Sequence, residues 1–332
     1  MPTAREESIA SFLESWRPHF DRDDVRLFVH EDRALKSFRP DVRRLRHTAH
    51  DDIDRELGNA GWIIPRGSGA CRSFPMYLAW KEGCDYIITL DDDCHPEDGD
   101  GFIGRHLESF QRDRWFRTIA GDEPRGVPYG RLGLLPVALN HGLWTEVPDL
   151  DAPTSLVRLR EPRTSLLPRA HEVVPPGMAF PLSAMNVCYR RDVIPVAYNL
   201  LMGLQSDGLD RFDDIWSGLI LKRVIDYMGW YVTTGEPFVR HRRQSDPFVN
   251  LRREALGIQI HERLWDYILD TPLEAGLGVT GAFRSIAERL RRFPDVSSDV
   301  PSPPGYFPRV ADAMIVWSEL FERGGESRSG TL

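Results

Sequence analysis

The chain has little cysteine. Four thiols occur in 332 residues (Cys71, Cys84, Cys94 and Cys188), and no two stand at the close spacing of a zinc site. So few thiols exclude a disulfide scaffold and predict a reducing compartment. No apolar run approaches the roughly 20 residues of a membrane span, so direct membrane insertion is not expected. The opening Met1-Pro2-Thr3-Ala4-Arg5-Glu6-Glu7 is charged and lacks the apolar stretch of a secretory signal, so the expected location is cytoplasmic. There is no basic excess either: 42 Lys and Arg against 50 Asp and Glu leave a net charge of -8, which argues against a general nucleic-acid binder. Arginines do cluster near positions 39–46, 240–243 and 289–292. Each cluster could serve phosphates, but clusters of this kind are more often solvated faces. No internal repeat is visible.

What is present is enough apolar residue, 41%, for a substantial core, and one stretch that organises the rest: Tyr86-Ile87-Ile88-Thr89-Leu90-Asp91-Asp92-Asp93-Cys94. A short apolar run behind Gly83 predicts a strand buried on both faces, with three carboxylates at its C-terminal end. Ligands in open α/β sheets bind beyond the carboxyl ends of the strands. Adjacent carboxylates repel, and a hard divalent cation such as Mn²⁺ or Mg²⁺ would relieve that repulsion and could then neutralise a diphosphate. Asp91 and Asp93 are the candidate metal ligands, and Asp92 is left for ribose or sugar hydroxyls. The plain alternative is a solvated acidic turn that caps a helix starting near Gly101.

Strand and helix signals alternate through the first half, which predicts an α/β fold on a mostly parallel sheet. Ile9, Phe12, Leu13 and Trp16 fall at helical spacing, with Pro18 as the stop. Val25–His30 reads as a strand and His50–Leu57 as a helix with an acidic start. Arg66-Gly67-Ser68-Gly69-Ala70-Cys71-Arg72 is a glycine turn into a helix through Trp80, and such a turn can offer N–H groups to an anion. Arg66 and Arg72 are therefore candidate diphosphate ligands. Residues 124–175 are rich in Pro and Gly and are expected to supply active-site loops. Met185–Tyr189 and Trp230–Thr234 read as strands. A helix begins at Arg211-Phe212-Asp213-Asp214 and ends at Gly229. Its two leading acids either complement the helix dipole or face a substrate. Tyr306, Val310, Met314, Trp317 and Phe321 form a stripe for the core or a subunit contact. The expected division is an α/β nucleotide-sugar domain over 1–255, a helical extension over 256–324 and a disordered tail over 325–332.

Several segments taken in order resemble the reversibly glycosylated polypeptides, a family that includes the UDP-arabinopyranose mutases. They are Pro2-Thr3 with Arg5, Phe12-Leu13 with Trp16-Arg17-Pro18, Ser68 with Ala70-Cys71-Arg72, and Thr89 with Asp91-Asp92-Asp93-Cys94. His141-Gly142-Leu143-Trp144, Pro148-Asp149 with Asp151-Ala152-Pro153-Thr154, and Met185-Asn186 follow. Asp213-Asp214 with Trp216 and Gly218, Thr234-Gly235, and Pro247-Phe248-Val249-Asn250-Leu251 complete the set, which runs to about Asp270.

The resemblance implies a glycosyltransferase-A-like nucleotide-binding sheet with a helical C-terminal extension. It implies a UDP-sugar as partner and a Mn²⁺ or Mg²⁺ cofactor, with His241 completing the metal shell of Asp91 and Asp93. The oligomeric state, a homo- or hetero-oligomer among the options, is left open by the sequence. The implied activity interconverts UDP-arabinopyranose and UDP-arabinofuranose, with the sugar parked reversibly on an arginine. Asp213 and Asp214 would then act as base or orient the sugar. The sequence departs from the family in two places. The family's glycosylated arginine falls on Leu132, and the neighbouring Arg131 is the candidate nucleophile. The resemblance implies an apolar strand just before Pro2-Thr3, and this sequence begins at Met1, so either the true start lies upstream or the expected sheet lacks a strand beside the base pocket. An ordinary glycosyltransferase with a separate acceptor and a non-catalytic UDP-sugar-binding partner of an active paralogue are the alternative readings.

Overall fold

The computed structural model describes residues 1–3, 5–32, 41–97, 99–115, 122, 125–127, 129–131, 133–158, 170–204, 206–242, 245–295 and 302–326. The chain opens with β1 (Pro2–Thr3), α1 (Glu6–Phe20), β2 (Leu27–Glu31), β3 (Leu45–Ala49) and α2 (His50–Leu57). Then come α3 (Ser73–Lys81), β4 (Tyr86–Leu90), β5 (Cys94–Pro96), α4 (Phe102–Glu108), β6 (Val137–Glu146), α5 (Ala152–Val157), β7 (Glu172–Val174) and β8 (Asn186–Arg190). The rest is α6 (Asp213–Tyr227), β9 (Tyr231–His241), α7 (Pro247–Leu269), α8 (Val279–Leu290) and α9 (Tyr306–Glu326).

The strands form two sheets. β1, β2 and β3 are parallel. The larger sheet has the order β4-β8-β6-β9-β5, with β7 also on β9. It is mixed, which corrects the mostly parallel sheet expected from strand–helix alternation. β8 runs antiparallel to both β4 and β6, and β5 and β7 run antiparallel to β9. Among the described residues of this sheet, only β6 and β9 pair in parallel. Strand direction depends on which segments meet across long connections, and between β4 and β8 the chain passes through β5, α4, β6, α5 and β7, so no local pattern fixes how β8 pairs.

Local chemistry explains most elements. α1 places Glu6 and Glu7 in its first turn and buries Ile9, Phe12, Leu13 and Trp16 on one stripe. It runs past Pro18 to Phe20, because a proline in the last turn forfeits a single helical bond, and Asp21 N closes on Arg17 O. α7 begins at Pro247 behind Asp246, whose carboxylate accepts Phe248 N and Val249 N.

Two large apolar cores, with a small third cluster of Phe110, Val137 and Cys188, hold the described elements together. The larger packs the sheet against α3, α6, α8 and α9 around Trp216, Phe283 and Trp317. The stripe Tyr306, Val310, Met314, Trp317 and Phe321 is buried there, so it is core. α7 runs unbroken across residue 255, and its buried face joins the same core. α9 extends to Glu326, and the remaining residues of the expected tail lie outside the described ones. The smaller core sets α1 on β2, β4 and α4, with Trp16 edge-on to Phe102 and its Nε1 donating to Cys94 O at 2.8 Å. That bond ties α1 to the end of the acid-tipped strand. Between β2 and β4 lies an apolar cavity of about 440 Å³, lined by Phe12, Trp16, Phe28, Ile88, Leu90 and Phe102 among others.

Candidate active site

Asp91, Asp92 and Asp93 follow β4 at its C-terminal end. Their repulsion is relieved by arginines. Arg72 ends a 3₁₀ turn over Gly69–Arg72, whose N-cap Ser68 accepts Ala70 N at 3.2 Å. Its guanidinium forms a bidentate pair with Asp91, Nη1 on Oδ1 and Nη2 on Oδ2. Arg5, just before α1, bonds Asp92 Oδ1 through Nη2, which also reaches Asp93 Oδ2 at 3.2 Å. Thr3 donates to Asp92 Oδ2 at 2.8 Å, so Asp92 is turned inward and is only 5% exposed.

These pairings set the ionisation. Burial opposes the charge on Asp91, but Arg72 outweighs it and holds the carboxyl below its usual range. Burial pushes Asp92 up against the opposing pull of Arg5 and Thr3. Burial also works against the Arg72 charge, yet Asp91, Asp214 and Asp213 together raise its pKa well above the ordinary value.

The expected Mn²⁺ or Mg²⁺ site is not formed by this donor set, which corrects the metal assignment of Asp91, Asp93 and His241. Among the described residues no three His, Cys, Asp or Glu side chains are grouped to hold a metal ion. The lone pairs that a cation would use on Asp91 are taken by Arg72, and those on Asp93 are shared with Arg5. His241 turns Nδ1 to Val147 O at 2.8 Å, and its Nε2 is 3.8 Å from Asp93 Oδ1. Internal guanidinium groups do the neutralising that the sequence reading gave to a cation.

α6 delivers the second acid pair. Asp213 and Asp214 form its first turn and face Arg72. Asp214 Oδ2 accepts Ala184 N at 3.0 Å, from the segment leading into β8. Asp213 sits directly over Gly69: a Cβ there would lie 2.1 Å from Asp213 Oδ2. Burial raises both carboxyls, with each other's charge adding to Asp214 and Arg72 opposing. Two partly buried neighbouring acids of this kind retain a proton that a fully exposed pair would lose.

The two acid groups open into one cleft of about 950 Å³. Arg5, Arg72, Asp91, Asp93, Asp213, Asp214 and His241 line it. Residues 147–151, Thr154, Ser155, the 210–212 turn and α7 complete the lining. The cleft therefore offers guanidinium N–H groups for an anion beside a half-buried acid pair that can hold or move a proton.

The other candidates lie elsewhere. Arg66 is 63% exposed and pairs with Asp51 at 3.0 Å, away from the cleft lining. Asp92 is not part of the cleft wall either. The backbone of Arg131 belongs to a 3₁₀ turn, Tyr129–Arg131, and its side chain, like all of residue 132, lies outside the described residues. Sequence reasoning gave no role to Arg5, Arg211 or Glu254. Arg5 stood in a quoted motif, but nothing local pairs it with residues 87 and 88 positions away. Arg211 carries a φ of +68°, a conformation for which an arginine gives no sequence signal.

The sequence profile of the reversibly glycosylated polypeptide family matches residues 2–325. The chain is 32% identical to UDP-arabinopyranose mutase 1 of Oryza sativa subsp. japonica over 341 residues, covering 97% of this chain and 89% of the relative. It is 31% identical to UDP-arabinopyranose mutase 2 of Arabidopsis thaliana over 339 residues, covering 97% and 90%. It is 30% identical to the probable UDP-arabinopyranose mutase 4 of Arabidopsis thaliana over 338 residues, covering 97% and 89%.

Proposed function

Because the chain belongs to the reversibly glycosylated polypeptide family, we propose that it is a nucleotide-sugar enzyme that interconverts the pyranose and furanose forms of a UDP-bound pentose. The mixed sheet with acids at the end of β4 is read as a glycosyltransferase-A-like nucleotide site. The observation that carries the proposal is the placement of Arg72, between the β4 carboxylates and the α6 acid pair in the cleft wall.

In this reading the diphosphate lies against Arg72 and Arg5. A guanidinium has five N–H donors, and Asp91, Asp92 and Asp93 use only some of them. The sugar then points toward Asp213 and Asp214. Ring contraction requires the anomeric bond to UDP to break, the ring to open and a different hydroxyl to close it. The arginines stabilise the departing diphosphate. Asp214, raised by burial and by Asp213, exchanges the hydroxyl protons. Arg131 is the candidate on which the sugar is held meanwhile, and a neighbouring base is needed because a protonated guanidinium is a poor nucleophile.

The test is incubation with UDP-arabinopyranose, separation of the two UDP-arabinose forms and intact-mass measurement, with Arg131→Ala in parallel. Furanose product and a pentose adduct that excess UDP removes, absent from Arg131→Ala, is the expected result. A second reading, a transferase that passes the sugar to a separate acceptor, is favoured by the arginine register, since Leu132 stands where the family arginine falls. UDP release that occurs only with an added acceptor, and no adduct, would replace the first reading by the second.

A further inference from the structure

Glu254 is a carboxylate on the middle of α7 that is only 3% exposed. It accepts two bonds from two different elements. Oε2 takes Ala152 N at 2.7 Å, at the start of α5, and Oε1 takes Arg211 Nε at 2.6 Å, in the turn before α6. A buried carboxylate with one partner on each oxygen fixes both partners relative to its own helix.

Arg211 is the unusual partner. Its φ is +68°, in the left-handed region where a residue with a Cβ is held only if its surroundings insist. Two residues later the acid pair begins, so the direction in which α6 starts depends on this turn. Other contacts pin the same turn, two of them from α7. Gly257, one turn beyond Glu254, lies under Phe212: a Cβ there would be 2.6 Å from the ring. Phe212 N points to Met202 Sδ at 3.1 Å, and Arg253 lies 3.6 Å from Asp210.

We propose that Glu254 is a positioning residue for the acid pair, acting through the backbone of Arg211. The ion pair holds Arg211 in the left-handed conformation, and that conformation aims Asp213 over Gly69 and Asp214 at Ala184 N. The same carboxylate anchors the N-terminus of α5, which lines the cleft, so that part of the cleft wall and the acid pair are set by one side chain. The inference rests on the reading of Asp213 and Asp214 as the proton-handling groups of the proposed reaction.

Replacing Arg211 by alanine and by glycine separates this from ordinary stabilisation. Both variants lose the ion pair, but only alanine opposes the positive φ. Conversion of the UDP-sugar is measured for wild type, Arg211→Ala, Arg211→Gly, Glu254→Ala and the double variant Glu254→Ala/Arg211→Gly, with kcat, KM, pH profile and melting temperature for each. The expected result is a kcat about fivefold or more lower in Arg211→Ala than in Arg211→Gly, the order of the left-handed penalty. The limb of the pH profile assigned to the acid pair moves in Arg211→Ala, and KM changes little. Glu254→Ala is expected to cost less kcat in the Arg211→Gly background than in wild type. Equal kcat for the alanine and glycine variants overturns the inference, as does a Glu254→Ala loss of the same size in both backgrounds. A wild type with no conversion and no adduct overturns the functional reading instead. In that case the geometry is still read from the amide exchange of Ala184, which is expected to accelerate in Arg211→Ala and not in Arg211→Gly.

Discussion

Arg72 meets Asp91 with two nitrogens on two oxygens, and the longer contact, Nη2 to Oδ2, is 3.1 Å. The two residues are 19 apart in the chain and arrive from different elements, a 3₁₀ turn and the end of β4. The pair occupies the position at which three consecutive aspartates would call for a cation.

Removing one member leaves the other uncompensated. Arg72→Ala is expected to destabilise the fold by about 2 kcal/mol, somewhat below the usual loss for a buried pair because both side chains keep partial access to water. Replacing both, Arg72→Met with Asp91→Leu, should cost less than the single change. Urea denaturation of the three variants checks this; a double variant less stable than Arg72→Ala would contradict it.

Asp214 makes stability depend on pH in a stated direction. Its carboxyl is raised to about 7 by burial and by Asp213, against roughly 3.9 in an unfolded chain. Between these values the folded state binds more protons than the unfolded one, so stability falls as pH rises through the window. Asp214→Asn removes that loss. The variant should match wild type near pH 4 and melt higher than wild type at pH 8, while conversion of UDP-sugar falls sharply. Melting curves across pH test it, and a gap between the two proteins that shrinks with rising pH would refute the assignment.

Gly69 is required by a close approach. A methyl group there would overlap the Asp213 carboxylate, with 2.8 Å even to its Cβ. Gly69→Ala should cost about 1–3 kcal/mol by overpacking and should displace Asp213, lowering kcat more than it raises KM. Thermal unfolding and steady-state kinetics on the same preparation separate the two effects.

Asp246 caps α7, the helix that carries Glu254. Asp246→Ala should remove about 1 kcal/mol of stability. Asp246→Asn should recover most of it, since an amide oxygen can still accept the N–H of Phe248. Chemical denaturation is sufficient to see the difference.

Much of the site was legible in residue pattern. The β4 run ending in acids, the acidic start of α6 and the glycine turn before α3 each have local causes: apolar period, dipole, permitted φ. Their partners were not legible. Asp91 looked like a metal ligand because adjacent carboxylates need a cation, and pattern cannot distinguish an ion from a guanidinium that arrives from a distant turn. Arg66 and Arg72 flank the same glycine turn, yet one turns to Asp51 at the surface and the other into the cleft. His141 opened a quoted motif. In the fold it is a buried support, accepting Ser183 N at 3.3 Å, and its neighbour Asn140 braces β9 through Glu236 O at 2.8 Å.

The sequence by itself determined the class of the protein, its main helices and strands, and the order of motifs that places it in its family. Those follow from interactions between residues a few positions apart, which composition and period express directly. The tertiary structure alone decided the mixed direction of the larger sheet, the arginine neutralisation of the β4 acids, and the grip of Glu254 on Arg211 and α5. Each of these joins groups separated by about 20 to 100 residues or depends on which backbone edge meets which. Such pairings are selected by burial and packing of the whole chain, and no local pattern records them.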